Sequence, residues 1–369
     1  MQCLRKPWLV MVLVTLLTAC GGGDDSDGGN PPFSRLVAFG DSLSDVGTYG
    51  VGTIAMIGAQ TGGAGRWTVN APTGGQIWVE QLSEKLGLPT ACPAETGLLP
   101  NGPGLTGAPV TTHAGCTVYA QGSARVSSPL AGNSVGLQAL GQVNMGLMAK
   151  PVKDQMAAHL AATGGYTGTE LVVVMAGAND VLMELQLTAP TSQAQALANT
   201  QAAGAELGAL VQSQVLAKGA QRVLVMNLPA IADSPYVRAL SPDAPALVDT
   251  LTRAFNAQLA QSLRGVPGVV LADVHGLVSD QMANPARYGL TNVTDVACGP
   301  NAFSGPGANG SSVVCNASNL LAGDRSRYLF ADGVHPTPYA HRLFSDFAVN
   351  QMRDAGWDDG PATNRQTSA

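Results

Sequence analysis

Charge is scarce in this sequence. Of its 369 residues only 12% are Asp, Glu, Lys or Arg, and the formal net charge is -6. A chain with few cations and a negative balance offers no footprint for a phosphate backbone, so nucleic acid is excluded as a partner. Long apolar runs are equally few. Trp8 to Leu17 is one, too short to span a bilayer comfortably, and no second segment of that kind follows. The cysteines are six and widely spaced, with no Cys-x-x-Cys and no His/Cys cluster, so neither a metal nor a cofactor is implied. Glycine and proline, at 45 and 23, are plentiful. Together with the low charge they point to a loop-rich, neutral-surfaced protein outside the cytoplasm. Without its N-terminal segment the chain keeps roughly 340 residues, enough for one large α/β domain or two small ones.

The first twenty residues, MQCLRKPWLVMVLVTLLTAC, place Arg5 and Lys6 before the apolar run and small residues before Cys20. This resembles a bacterial lipoprotein signal (residues 1–20), with Cys20 lipidated as the new N-terminus and the protein held to a membrane. The alternative is an ordinary secretory signal cut near the same place. Residues 21–34, beginning GGGDDSDGGNPP, hold little that packs and are expected to be a flexible tether. Residues 35–357 are expected to form the folded domain and 358–369 a disordered tail. Four cysteines remain in the domain, and an even number in an exported chain suggests disulfides. Of the three possible pairings, joining neighbours (Cys92 with Cys116, Cys298 with Cys315) closes two Gly/Pro-rich loops.

Four apolar runs stand out: RLVAFG from 35, ELVVVMAG from 170, RVLVMNLP from 222 and GVVLADVHG from 268. Continuous rather than alternating apolar residues predict strands buried on both faces. Helical patterns separate them. One begins at Pro151, one stops at Lys218-Gly219, and a third spaces Leu247, Leu251, Phe255, Leu259 and Leu263 along one face. The last starts at Pro336 or Pro338. Strands alternating with helices predict parallel crossovers and a three-layer α/β/α sandwich, with functional groups at the carboxyl ends of the strands. Residues 89–116 and 284–327 break the alternation and are expected to be surface insertions.

The strand ends carry the chemistry. Ser42 follows the first run in FGDSLSD. A serine becomes a nucleophile only when a base takes its proton, and acyl transfer also needs donors aimed at the oxyanion. Asp332 and His335 in FADGVHPT lie three apart, a spacing that lets a carboxylate reach the imidazole. Asn179 ends another strand in AGAND, and Gly122 in YAQGSA leaves its N–H free to approach a ligand. His113, His159, His275 and His341 lack a carboxylate at useful spacing. Of these, His275, after a strand, is the rival base. Asp45 is read as a cap for the helix that follows, and Asp180 as structural. GNSVG (132–136) and GPGLTG (102–107) match nucleophile-elbow and dinucleotide patterns, but prolines replace the flanking strand or helix that each requires.

FGDSLSD, YAQGSA, AGAND and DGVHPT resemble, in order, the four signature blocks of the SGNH (GDSL-type) hydrolases. The resemblance implies a flavodoxin-like sandwich and a serine esterase, lipase or related acyl hydrolase. It implies Ser42 as nucleophile, His335 as base and Asp332 as its orienting carboxylate. The oxyanion donors would be the N–H of Ser42, the N–H of Gly122 and the side chain of Asn179. Ser123 stands where many relatives have a second glycine. A segment with Arg, an aromatic and Asn follows the nucleophile block in related sequences, so Arg66, Trp67 and Asn70 are expected to border the substrate pocket. The substrate would be a small-molecule, lipid or polysaccharide ester, the enzyme a monomer without cofactor. An acyltransferase using the same serine, or a surface-displayed binding lipoprotein on this scaffold, are the alternatives.

Overall fold

The Val-rich runs become strands because branched side chains suit the extended backbone and helices cover both faces of the sheet. The computed structural model describes residues 33–71, 73–99, 105–129, 147–187, 192–304 and 309–357. The expected leader with Cys20, most of the expected tether, GNSVG, the first half of GPGLTG and the expected tail lie outside the described residues. In chain order the first half holds β1 (Leu36–Gly40), α1 (Gly52–Thr61), α2 (Trp78–Lys85), β2 (Glu95–Leu98), β3 (Ala108–Thr112), α3 (Val152–Thr163), β4 (Leu171–Met175) and α4 (Ala178–Leu187). Then come α5 (Gln193–Leu210), β5 (Arg222–Met226), α6 (Pro235–Leu240), α7 (Ala244–Leu263), β6 (Val269–Ala272), α8 (Val274–Ala283), β7 (Asn292–Val296), β8 (Tyr328–Phe330) and α9 (Pro338–Asp354).

The main sheet is parallel in the order β1-β4-β5-β6. On the free side of β1, Val118 pairs in parallel with Ala38, its neighbours Thr117 and Tyr119 bonding to the Ala38 backbone. The chain therefore departs from β1 in both directions across the sheet. Such a switch point leaves a crevice at the carboxyl end of β1, and Ser42 lies there.

Both faces of the sheet are core. Val37, Phe39, Val172 and Val174 pack with α3, α5 and α7, through Met156, Leu207, Leu251 and Phe255 among others. Leu36, Ala38, Leu171 and Val173 pack with α2 and α9, through Trp78, Leu82, Phe344 and Ala348. The alternation of partners follows the two-residue period of the strand. Helices α5 and α7 approach closely at Gly204, where a Cβ would stand 2.4 Å from the Phe255 carbonyl oxygen. Among the described residues no helix is long and apolar enough to cross a membrane.

Three local expectations change. Phe33 is buried on the α2 and α9 face of the sheet and Ser34 donates its N–H to the Thr169 carbonyl, so the folded body begins before residue 35. Pro151 sits at the N-cap of α3 (φ −59°, ψ 152°) rather than inside its first turn. The 193–218 helix is interrupted by a wider turn at Val211–Val215 before Gly219 ends it in the left-handed conformation, φ 108°.

The two insertions behave differently. The first is a surface hairpin, β2 against β3, with Cys92 bonded to Cys116 beneath it. The second, closed by Cys298–Cys315, is not confined to the surface: residues 310–316 are buried. They are drawn inward because their backbone supplies partners to Asp332 and Asn70, groups that cannot be buried unpaired.

Candidate active site

β1 ends at Gly40, where a side chain would collide with the Met175 carbonyl of the adjoining strand at 2.2 Å. A buried glutamine clamps this strand end. The Gly40 N–H donates to Gln155 Oε1 (2.9 Å), and Gln155 Nε2 donates back to the Gly40 carbonyl (2.8 Å). Asp41 then caps a single 3₁₀ turn, Ser42–Ser44, by accepting the Leu43 N–H at 3.1 Å. The turn lifts Ser42 out of the sheet.

His335 comes from the loop between β8 and α9. Its Nε2 is 2.9 Å from Ser42 Oγ, and its Nδ1 is 2.9 Å from both oxygens of Asp332. Asp332 also accepts the backbone N–H groups of Val334 (3.0 Å), His335 (2.9 Å) and Ser312 (2.9 Å). Burial pushes its carboxyl up, but the imidazole and these donors outweigh burial and hold it well below the usual carboxylate range. An ionised carboxylate only accepts, so Nδ1 must carry a proton. In the neutral imidazole Nε2 is then the free lone pair, and the Ser42 hydroxyl donates to it. The Trp67 ring lies against the imidazole, centroids 4.9 Å apart.

Asn179 enters from the first turn of α4. Its Nδ2 gives one hydrogen to the Ala124 carbonyl (2.9 Å), leaving the second available, and its side chain lines the same cavity as Ser42. The expected role of Gly122 does not fit. Its N–H donates to Asp45 Oδ2 at 2.9 Å, so it is already used, and Gly122 is not among the cavity-lining residues. Ser123, one residue on, does line the cavity. Residues 121–124 form a tight turn closed by the Ala124 N–H on the Gln121 carbonyl (3.1 Å). Ser123 is its third residue with φ 66°, a conformation that glycine adopts freely. A glycine would fit this place without strain. Gly122 must be glycine for another reason: a Cβ there would lie 2.5 Å from the Trp67 ring.

Of the three expected pocket residues, only Trp67 lines the cavity. Arg66 is bound to Glu80 through Nε and Nη2 at 2.7–2.9 Å. Asn70 is buried, with the two hydrogens of its Nδ2 shared among the carbonyls of Arg66, Thr68, Ser312 and Cys315. It joins the Trp67 segment to the second insertion instead of facing a ligand.

Sequence reasoning undervalued Asp45. Its Oδ1 accepts the N–H groups of Gly47 (3.0 Å) and Thr48 (2.7 Å), and its Oδ2 accepts Gly122 N–H (2.9 Å) and the Trp67 indole N–H (3.4 Å). One buried carboxylate therefore joins the serine turn, the 121–124 turn and the ring that faces His335. Burial pushes its carboxyl up, while the Thr48, Gly122 and Gly47 donors pull it down. The one signal was an aspartate three positions after the serine. Asp41 is also fully buried, with one oxygen lacking a partner, and burial pushes its carboxyl up to about 7.

The other histidines stay apart from the cavity. Burial lowers His159 to about 4 and His341 to about 3. His275, the rival base, is 3.5 Å from Asp249 and does not line the cavity. Asp180 is structural as expected, accepting Arg125 Nε and the Val126 N–H, both at 3.0 Å.

A parallel α/β/α sandwich with a Ser–His–Asp chain at its carboxyl edge is an architecture that supports nucleophilic acyl chemistry. The chain belongs to the GDSL-like lipase/acylhydrolase family, whose model matches residues 36–347. It is 28% identical over 361 residues to an uncharacterized protein in the trpE-trpG intergenic region of Pseudomonas putida, covering 96% of this chain and 54% of that one. It is 28% identical over 141 residues to a GDSL esterase/lipase of Arabidopsis thaliana, covering 36% and 37% of the two chains. It is 34% identical over 84 residues to Lipase 1 of Photorhabdus luminescens, covering 23% and 12%. The chain thus spans about half the length of the Pseudomonas relative and less of the other two.

Proposed function

We propose that this protein is an exported serine esterase that hydrolyses carboxylic esters through an acyl-enzyme on Ser42. The observation that carries the reading is the hydrogen-bonded chain from Ser42 Oγ through His335 to Asp332, each link 2.9 Å. Ser42 Oγ attacks the ester carbonyl carbon as His335 Nε2 takes its proton. The negative oxygen that forms meets the N–H of Ser42, the N–H of Ser123 and the free hydrogen of Asn179. Collapse breaks the bond to the alcohol, which leaves with the proton from His335. Water then adds to the acyl group, giving its proton to His335, and Ser42 is released with the acid. Asp332 holds the imidazole tautomer and balances its charge at both stages, and the Trp67 face adds to that stabilisation.

Export is supported by two disulfides, which persist in oxidising compartments. The sequence ending at Cys20 supports a lipid anchor, with the hydrolase domain displayed beyond the membrane. Incorporation of labelled palmitate that is lost in Cys20→Ala tests the anchor. For the chemistry, a fluorophosphonate probe should label the wild type at Ser42 and leave Ser42→Ala unlabelled. Asn179→Ala should lower kcat about a hundredfold or more. Undiminished hydrolysis of an activated ester by Ser42→Ala would refute the reading.

A further inference from the structure

β1 and the segment 117–121 run side by side at Ala38, and then a side chain comes between them. The Ala38 N–H donates to the Thr117 carbonyl (3.0 Å), and the Tyr119 N–H donates to the Ala38 carbonyl (2.8 Å). In a parallel ladder the next rung would join the Gly40 N–H to the Tyr119 carbonyl. Gln155 Oε1 takes that N–H instead, at 2.9 Å. Gln155 Nε2 gives one hydrogen to the Gly40 carbonyl and the other to the Lys150 carbonyl, both at 2.8 Å. The Gln121 N–H reaches the same Gly40 carbonyl at 3.2 Å, so the last rung is shared. The amide of Gln155 thus stands in for a peptide group at the fork where the two segments part. On one side β1 runs into the Ser42 turn. On the other, the neighbouring segment runs into the 121–124 turn. The mount of this amide is itself braced. Gln155 is fully buried, and the Lys150 N–H donates to Gln121 Oε1 at 2.9 Å. The Ala149 N–H donates to Tyr49 Oη (2.9 Å), which donates to the Gly122 carbonyl (3.1 Å). Ala149 is held at φ 49°, a costly conformation for a residue with a Cβ, and one that persists only where the surroundings impose it.

We infer that Gln155 is a positioning residue that fixes the separation between the Ser42 turn and the 121–124 turn, and with it the place of the nucleophile relative to the oxyanion donors. The inference rests on the esterase reading above and adds to it a residue that does not line the cavity. Attack by Ser42 Oγ and capture of the negative oxygen by the Ser42 and Ser123 N–H groups must happen in one geometry. A small slip between the two turns is therefore felt in the transition state and not in the binding of substrate. Packing alone does not call for glutamine here. Methionine has a similar length and would fill the same space, but only an amide offers Gly40 an acceptor and a donor together.

Steady-state hydrolysis of p-nitrophenyl butanoate by the full-length protein and two variants tests this. In Gln155→Met kcat should fall about a hundredfold, with KM within about threefold of wild type. Gln155→Glu should depend on pH. A protonated carboxyl still accepts from the Gly40 N–H and donates to the Gly40 carbonyl, whereas a carboxylate sets acceptor against acceptor. The Lys150 ammonium gives that carboxylate no relief, because Glu95 holds it at 2.6 Å. The ratio of variant to wild-type kcat should therefore fall at least about tenfold between about pH 5 and pH 9, with the circular-dichroism spectrum unchanged. An unchanged kcat in Gln155→Met overturns the inference. So does a Gln155→Glu ratio that stays flat with pH, or one that falls only as the folded spectrum is lost. Should Gln155→Met misfold, Gln155→Glu decides. Failure of the fluorophosphonate to label wild-type Ser42 defeats the esterase reading itself. Labelling of wild-type Ser42 together with unaltered kcat in the variants defeats only the positioning role.

Discussion

Replacing Asp45 by Asn changes one atom and tests whether a single carboxylate ties the site together. Asp45 presents two oxygens to two separate sets of donors: Gly47 and Thr48 on one side, Gly122 and the Trp67 indole on the other. Asparagine has one oxygen. If it keeps the Thr48 side, its own NH₂ faces the Gly122 N–H, donor against donor. Hydrogen bonds to a charged acceptor contribute about 1.5–3 kcal/mol, and a buried donor left unpaired costs about 1–3 kcal/mol. The Trp67 contact, at 3.4 Å, is long and adds little. The loss should therefore be about 3 kcal/mol, a large part of the roughly 5–15 kcal/mol that holds a protein folded. The same change frees the 121–124 turn and the ring against His335, so kcat should fall about tenfold to a hundredfold with KM within about threefold, the signature of lost transition-state stabilisation. Urea unfolding and steady-state hydrolysis of p-nitrophenyl butanoate measure the two effects. A stability change under about 0.5 kcal/mol with unaltered kcat would show that the carboxylate is no hub.

Other tests address neighbouring parts of the site. Burial raises the Asp41 carboxyl to about 7, so its contribution to stability is fully present below its unfolded value near 4 and is lost as pH rises through 7. Asp41→Asn should gain stability relative to wild type between pH 4 and 8, and a difference in urea midpoint that stays constant with pH would contradict this. Asp332 is depressed, so its contribution is present above pH 4 and fades as pH falls below that value. Acid unfolding of Asp332→Asn should accordingly show a shallower slope below pH 4 than wild type. Each disulfide closes a loop with a separation of 24 or 17 residues and should add about 3 kcal/mol. Removing Cys298–Cys315 should also lower kcat, because the enclosed Ser312 N–H holds Asp332, whereas removing Cys92–Cys116 should affect stability alone. Ser123→Gly relieves a positive φ and should stabilise by at most about 1 kcal/mol with activity kept, readable as a small rise in Tm.

The α/β order, the burial of the sheet on both faces and the identities of the serine, histidine, aspartate and asparagine were legible in the sequence. Strand and helix periods are local, and motif residues sit beside the turns that present them: Gly40 and Asp41 around Ser42, and three-residue spacing between Asp332 and His335. Contacts across the chain were not legible. Nothing local to Gly122 reveals that Asp45 takes its N–H, so that N–H was expected to face a ligand. Nothing local to Asn70 or Arg66 reveals their partners Ser312, Cys315 and Glu80, so both were placed in a pocket they do not line. The second insertion read as surface from its glycines and prolines, yet its backbone is spent inside the site. The sequence by itself determined which chemical groups are present and which strand ends carry them. Only the tertiary structure decided where each polar group finds its partner and which residues line the cavity at Ser42. The physical reason is that buried donors and acceptors must pair, and most of these pairs join residues tens to hundreds of positions apart.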